Sequence, residues 1–203
     1  MNVTVVKYNA GNIQSVLFAL ERLGITPLLS SKPEEIAKAD KVIFPGVGEA
    51  GSTMHELERL GITAALQQLK QPFLGICLGL QLMCRHTEEG NADCLNIFGQ
   101  EVKKFEQFPA ATGAETQKLK VPHTGWNTIT NLQGPLFKGI AENSYVYYVH
   151  SYYAETGANT CALTDYIHPF SAALMKDNYF AVQFHPEKSG SVGAAILKNF
   201  IEL

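Results

Sequence analysis

Charge is scarce in this sequence. Asp, Glu, Lys and Arg make up 17% of its 203 residues, below the usual quarter, which leaves comparatively little charged surface. The net charge is −3 and no Lys/Arg cluster occurs, so the electrostatic footprint that nucleic-acid binding needs is missing. Nowhere do about 18 apolar residues run together, which excludes a membrane-spanning helix. Residues 1–11 read as a strand and turn, not as a charged and then apolar leader. Cysteine is sparse and unpaired: Cys77, Cys84, Cys94 and Cys161 contain no CxxC and no histidine at zinc spacing, and a chain of this size does not depend on disulfides. These absences predict a soluble cytoplasmic protein with reduced thiols, no metal, and neither nucleic acid nor membrane as partner. No repeat, low-complexity stretch or break in composition divides the chain, so a single domain over residues 1–203 is expected.

What is present is an alternation of short β-branched runs with helical periodicity, the pattern of parallel βαβ units. Asn2 to Val6 reads as a strand. Ile13, Val16, Leu17, Leu20 and Leu23 repeat at helical spacing up to Gly24, and Ile25 to Leu29 is again extended. Ser31 with Glu34 three residues later reads as the capping box of a short helix. Lys41 to Phe44 is a strand, Met54, Leu57 and Leu60 and then Ile62, Ala65, Leu66 and Leu69 are helical sets, and Phe73 to Ile76 is a central strand leading into Cys77. Beyond residue 96 the extended segments shorten (Glu101 to Phe105, Lys118 to Val121, Tyr145 to His150, Thr160 to Thr164, Ser171 to Met175, Tyr179 to Phe184), which predicts antiparallel additions. Gln107 to Thr116 reads as a loop, and a last helix presents Val192, Ala195, Ile196 and Phe200. The expected fold is α/β: a mostly parallel sheet with helices on both faces and antiparallel strand additions, a flavodoxin-like three-layer arrangement.

Gly75-Ile76-Cys77-Leu78-Gly79 is a G-x-C-x-G sequence between an apolar strand and a helix, the thiol form of a nucleophile elbow. So sharp a turn strains its central residue, and glycines on either side remove Cβ atoms that would collide. It aims the thiol at free N–H groups of a helix start, which favour the thiolate. A buried core cysteine is the alternative. Placement at the carboxyl end of a strand, where open α/β sheets bind ligands, favours the nucleophile. Cys84, Cys94 and Cys161 read as structural.

A thiolate that attacks an amide needs an imidazole to carry protons and a third group to hold that imidazole. His185 has such a group in Phe184-His185-Pro186-Glu187: residues two apart on an extended chain face the same way, so Glu187 is expected to reach the ring. His55 sits among charged residues of a helix face, His86 at the end of a helix, and His168 before Pro169 in a turn. His123 and His150, in aromatic-rich segments, fit binding or packing equally.

Gly46-Val47-Gly48-Glu49-Ala50-Gly51 matches the dinucleotide fingerprint, but it follows a later strand than that fingerprint requires, and the next strand ends in Cys77 where a ribose-binding acid belongs. No cofactor is expected. The glycines suit a loop that brings N–H groups to a bound carbonyl, so Val47, Gly48 and Leu78 are the expected oxyanion hole. A donor gated by rotation of the Val47 peptide would act as a switch, since losing one costs about 3 to 4 kcal/mol.

Tyr8-Asn9-Ala10-Gly11-Asn12, Pro45-Gly46-Val47-Gly48, Gly75-Ile76-Cys77-Leu78-Gly79-Leu80-Gln81, Val121-Pro122-His123-Thr124-Gly125-Trp126-Asn127, Val149-His150-Ser151-Tyr152-Tyr153 and Phe184-His185-Pro186-Glu187-Lys188-Ser189 together resemble the class I glutamine amidotransferases over nearly the whole chain. Pro-Gly-Val-Gly, where most relatives carry Pro-Gly-Gly, and Pro-His-x-Gly-Trp-Asn are similar to the glutaminase subunits of imidazole glycerol phosphate synthases in particular. The resemblance implies hydrolysis of glutamine to glutamate and ammonia by a Cys77, His185, Glu187 triad, in histidine biosynthesis. It implies that Gly48, Gln81, Glu89, His150, Ser151 and Tyr152 hold glutamine. It also implies that Asn12, His123, Trp126 and Asn127 lie toward a partner, a cyclase with a (βα)8 barrel that uses the ammonia. Lys7, Asn9 and Glu49-Ala50 depart from the family pattern near the supposed interface and oxyanion turn. The rival readings are a glutaminase serving another synthase, against which Val47 and the Trp126 segment speak, a stand-alone thiol hydrolase, and a non-catalytic binding subunit.

Overall fold

The computed structural model describes residues 1–8, 13–106 and 119–203. Elements follow in the order β1 (Val3–Val6), α1 (Ile13–Arg22), β2 (Leu28–Ser30), α2 (Pro33–Ala37), β3 (Lys41–Gly46), α3 (Ala50–Arg59), α4 (Thr63–Gln67), β4 (Phe73–Cys77) and α5 (Leu78–Met83). Then come β5 (His86–Thr87), β6 (Ala92–Asp93), β7 (Glu101–Lys104), β8 (His123–Ile129), β9 (Ser144–His150), β10 (Tyr152–Ala154), β11 (Thr160–Asp165), β12 (Pro169–Lys176), β13 (Tyr179–Val182) and α6 (Gly190–Ile201).

Seven strands form one sheet in the order β11-β12-β13-β4-β3-β1-β2. From β13 to β2 all neighbours are parallel, and β12 and β11 extend that edge antiparallel. Burial on both faces explains why β1, β3, β4 and β13 are buried at every residue. Alternate residues feed two apolar clusters. Val3, Val5, Ile43, Leu74, Ile76, Phe180 and Val182 pack with Val16 and Leu20 of α1 and Ile196, Leu197 and Phe200 of α6. Val6, Val42, Phe44, Phe73 and Ala181 pack on the other side with Met54 and Leu57 of α3, Leu66 of α4 and Leu80 of α5. This is the mixed α/β arrangement expected from the sequence, with helices on both faces. Among the described residues no helix is long and apolar enough to cross a membrane.

Smaller sheets flank the carboxyl ends of the parallel strands: β10-β7-β5-β6 and the antiparallel pair β8-β9. In β8-β9 the register sets Trp126 opposite Tyr147 and His123 opposite His150. One face carries His123, Ile129, Val146, Tyr148 and His150, all buried, and the other carries Trp126, Tyr145 and Val149, all exposed.

Several local expectations need correction. The capping box at Ser31 and Glu34 is absent: Lys32 precedes α2, Pro33 opens it, and no side chain caps it. Ser30 instead donates to Glu35 at 2.6 Å and accepts from the Lys32 amide. His86 opens β5, α5 having already ended at Met83, and contacts Asp93 across the hairpin at 3.0 Å. The loop read at Gln107 to Thr116 lies outside the described residues.

Candidate active site

The turn between β4 and α5 begins the site. Cys77 ends β4 and precedes α5 with φ 54° and ψ −107°, a left-handed conformation that costs a non-glycine residue about 1 to 3 kcal/mol. The flanking glycines make that turn possible. A Cβ at Gly79 would collide with the Phe44 carbonyl of β3, and one at Gly75 would lie 2.9 Å from the Gly79 backbone. Pro45 and Gly46, paired with Ile76 and Cys77 in the next strand, bring the glycine turn alongside the elbow. A Cβ at Gly46 would meet Leu78 Cβ at 2.7 Å and the Gly79 nitrogen at 2.8 Å. Gly48, exposed at φ +122°, then turns the chain toward α3.

Glu49, one of the departures from the family pattern, caps α3: its carboxylate accepts from the Gly51 and Ser52 amides at 2.8 and 2.6 Å, which holds its pKa below the usual range. The next amide, of Ala50, donates to Glu89 at 3.0 Å. Burial outweighs that bond and raises the Glu89 pKa.

His185 follows β13, its amide bonded to the Tyr147 carbonyl at 2.9 Å. Its Nδ1 meets Glu187 Oε1 at 2.8 Å, with the two side chains 2% and 3% exposed. The pairing was expected from an extended chain, but β13 stops at Val182 and Glu187 lies in a 3₁₀ turn, Pro186–Lys188, that folds its carboxylate back under the ring. Ser189 fixes the turn by donating to the His185 carbonyl at 2.7 Å and accepting from the Tyr147 amide at 2.9 Å.

His185 Nε2 and Glu187 Oε2 are buried without a hydrogen-bond partner among the described residues. Such buried orphans are rare and call for a reason. Burial works against a charged imidazole here, but the charge and contact of Cys77, followed by those of Glu187, outweigh it and raise the His185 pKa. The thiol and ring are therefore electrostatic neighbours whose hydrogen bond is not aligned at rest, as is common before substrate arrives. Burial pushes the Cys94 and Cys161 thiols up to about 12 and Cys84 well upward, which makes them inert.

Val47, Gly48, Cys77, Leu78, Gln81, Glu89, His150, Ser151, Tyr152 and His185 line one cavity of about 290 Å³, joined by Pro122 and Val149. The structure thus gathers every residue expected at the oxyanion hole and the glutamine site, with Glu187 behind His185. The residues expected toward a partner divide. Trp126 is 55% exposed, whereas His123 is 3% exposed, which corrects its expected outward place. Its ring stacks between Tyr148 and Tyr166, centroids 4.7 and 3.8 Å away. Asn127 is half-buried and donates to the Asp165 carbonyl at 2.9 Å, and Asn12 lies outside the described residues.

His123 is instead part of a chain of hydrogen bonds. Its Nδ1 meets His150 Nε2 at 3.0 Å, and His150 Nδ1 meets the Tyr152 carbonyl at 2.7 Å. Burial depresses both rings, His123 to about 4 and His150 to about 3, so both are neutral near pH 7. The same carbonyl accepts Gln81 Nε2 at 2.9 Å, Gln81 reaches Gln183 Oε1 at 3.1 Å, and Gln183 Nε2 faces Cys77 Sγ at 3.7 Å. Sequence reasoning missed Gln183 and Ser189. A polar residue inside the apolar run Tyr179 to Phe184 was the available signal for Gln183.

A cysteine at the elbow of a doubly wound sheet, beside a buried histidine and carboxylate, is the architecture of a thiol-dependent amide hydrolase. The profile described as Glutamine amidotransferase class-I matches residues 4–203, and the chain belongs to that family. Its members are enzymes with a cysteine nucleophile. Imidazole glycerol phosphate synthase subunit HisH of Bacteroides thetaiotaomicron is 55% identical over 203 residues, covering all of both chains. The protein of the same name from Bacteroides fragilis is 56% identical with the same coverage. In three dimensions the chain is similar to a crystal structure of a glutamine amidotransferase, with TM-score 0.72, 17% identity, and 100% and 98% of the two chains covered, a likeness of fold alone.

Proposed function

We propose that this chain, as a single glutamine amidotransferase domain over residues 1–203, is the glutaminase subunit of an imidazole glycerol phosphate synthase. The observation that carries the chemistry is that Cys77 and His185 line one cavity, with Glu187 bonded to the far side of the His185 ring. The full-length relatives that carry this subunit name favour the synthase. Four free cysteines suit a reducing cytoplasm.

The Cys77 thiolate attacks the side-chain amide carbon of glutamine, forming a C–S bond. The carbonyl oxygen becomes an oxyanion, held by backbone N–H groups of Val47, Gly48 and Leu78. His185 Nε2, unpaired among the described residues, donates its proton to the leaving nitrogen; the C–N bond breaks and ammonia departs from a γ-glutamyl thioester. Water then gives a proton back to His185 and attacks the thioester, and C–S cleavage restores the thiolate and releases glutamate. Glu187 holds the Nδ1 proton throughout, so Nε2 is the atom that cycles. Gln81, Glu89, His150, Ser151 and Tyr152 form the walls around glutamine, with Glu89 placed to meet its ammonium group.

The partner is a (βα)8-barrel cyclase that takes ammonia without its passing through bulk water. Its docking surface includes the exposed face of β8-β9 with Trp126 and Tyr145, beside half-buried Asn127. The test is glutamate release by the purified chain, alone and mixed with the cyclase, using glutamine labelled with heavy nitrogen at its amide. We expect stimulation on mixing and label in the cyclase product. Full activity alone, with no label transferred, would support the stand-alone hydrolase instead.

A further inference from the structure

We propose that Gln183 is a positioning residue for this hydrolysis: its side-chain amide donates a hydrogen bond to the sulfur of Cys77 and holds it as the anion facing the cavity. The inference rests on the reading of Cys77 as nucleophile. Its Nε2 lies 3.7 Å from Sγ, within the reach of a bond to sulfur, and Gln183 and Gln81 are 0% and 4% exposed.

The direction of that bond is imposed from elsewhere. A backbone carbonyl can only accept, so the end of Gln81 that lies 2.9 Å from the Tyr152 oxygen must be its NH₂. The same NH₂ lies 3.1 Å from Gln183, so the facing end of Gln183 must be its oxygen. Its own NH₂ is thereby turned to the sulfur. The network fixes the amide's orientation, and in so buried a site bulk water does not relax it. A donor bonded to the charged form favours that form, so this arrangement selects the thiolate.

Gln183 also does what His185 cannot. The imidazole gives its proton to the leaving nitrogen and regains one only as water attacks the thioester, so its charge comes and goes within one turnover. An amide has no proton to surrender over this pH range, and its donor stays in place through both halves of the reaction. Among the described residues the other titratable groups beside the sulfur or lining its cavity are Tyr8 after β1, His150 at the end of β9, Tyr152 at the start of β10, Glu89, and His185 with Glu187 behind it. The Gln183 substitutions leave all of them unchanged.

The test is alkylation of Cys77 by iodoacetamide in the full chain as a function of pH, followed on the peptide that contains it. Gln183→Glu preserves shape and the bond from Gln81 but replaces the donor with a carboxylate, and Gln183→Met removes both bonds. Each should move the alkylation midpoint up by about one pH unit or more and lower kcat more than it changes KM. A merely structural role would alter thermal stability and leave the midpoint in place, so a folded variant whose profile overlays the wild type overturns the proposal. Because the carboxylate of Gln183→Glu also repels the thiolate, a shift counts for the donor only where an uncharged variant shifts too; where Gln183→Met is unstable, the uncharged Gln183→Leu takes its place. Glutamine hydrolysis surviving in Cys77→Ala would remove the nucleophile itself. Loss of hydrolysis there, with an unmoved profile in Gln183→Glu, overturns the role of Gln183 alone.

Discussion

Glu187 accepts from His185 through one oxygen and buries the other without a partner among the described residues, an arrangement that stability alone does not favour. In the proposed mechanism its use lies in fixing the tautomer. Glu187→Gln keeps the shape but permits the wrong ring nitrogen to carry the proton, and we expect kcat for glutamine hydrolysis to fall about 10³- to 10⁴-fold with KM changed only a few-fold. Steady-state kinetics check this; a fall of less than about tenfold would deny the carboxylate that role. At this scale Cys77, His185 and Glu187 were legible because each sits in a short motif whose spacing has a mechanical meaning. Gln183 and Ser189 were not: one is oriented by a carbonyl 31 positions away in sequence and the other joins β9 to the histidine turn, and neither relation leaves a local pattern. For His123 the resemblance pointed toward a partner while its aromatic segment fitted packing equally, and the alternation within β8 sends position 123 inward while Trp126 points out.

Among elements, the contact between α6 and the 3₁₀ turn is where packing touches chemistry. A Cβ at Gly193 would collide with the Pro186 carbonyl and approach Ser189 Cβ to 2.8 Å. Gly193→Ala is therefore expected to cost about 1 to 3 kcal/mol in chemical denaturation and to lower kcat by more than that loss of fold explains, because the displaced turn carries Glu187. Wild-type activity in the variant would show that α6 does not set the turn. The β8-β9 pair yields a different expectation. Trp126→Ala should change the stability of the isolated chain by no more than about 0.5 kcal/mol, while weakening cyclase binding by about 2 kcal/mol or more by titration calorimetry. The long parallel elements were readable because they bury both faces. Two-residue β5 and β6 carry too little pattern to read, and the supposed capping box failed because Pro33 can open α2 without any side-chain cap.

Across the whole molecule, the neutral pair His123 and His150 links folding to acidity. Both folded pKa values lie below the unfolded value near 6.5, so between them the unfolded chain binds more protons and stability rises with pH. His185, raised in the folded state, is protonated in both states below pH 6.5 and does not offset this. Urea unfolding should accordingly show stability falling from pH 6.5 to 5 by up to about 1.4 kcal/mol per histidine for each pH unit, and a flat profile would mean the pair is not held neutral. The doubly wound sheet was legible in outline because alternating strand and helix periods admit few topologies, whereas the β7-β10 and β8-β9 pairings of the flanking sheets join segments remote in sequence and were not. In the proposed function all of this architecture serves one covalent event, and that event can be observed. Acid-quenching the chain during turnover with glutamine and cyclase, then measuring the peptide that contains residue 77, should reveal a γ-glutamyl adduct on that cysteine and none in Cys77→Ala. An adduct on another residue, or continued hydrolysis by Cys77→Ala with no adduct at all, would contradict the account.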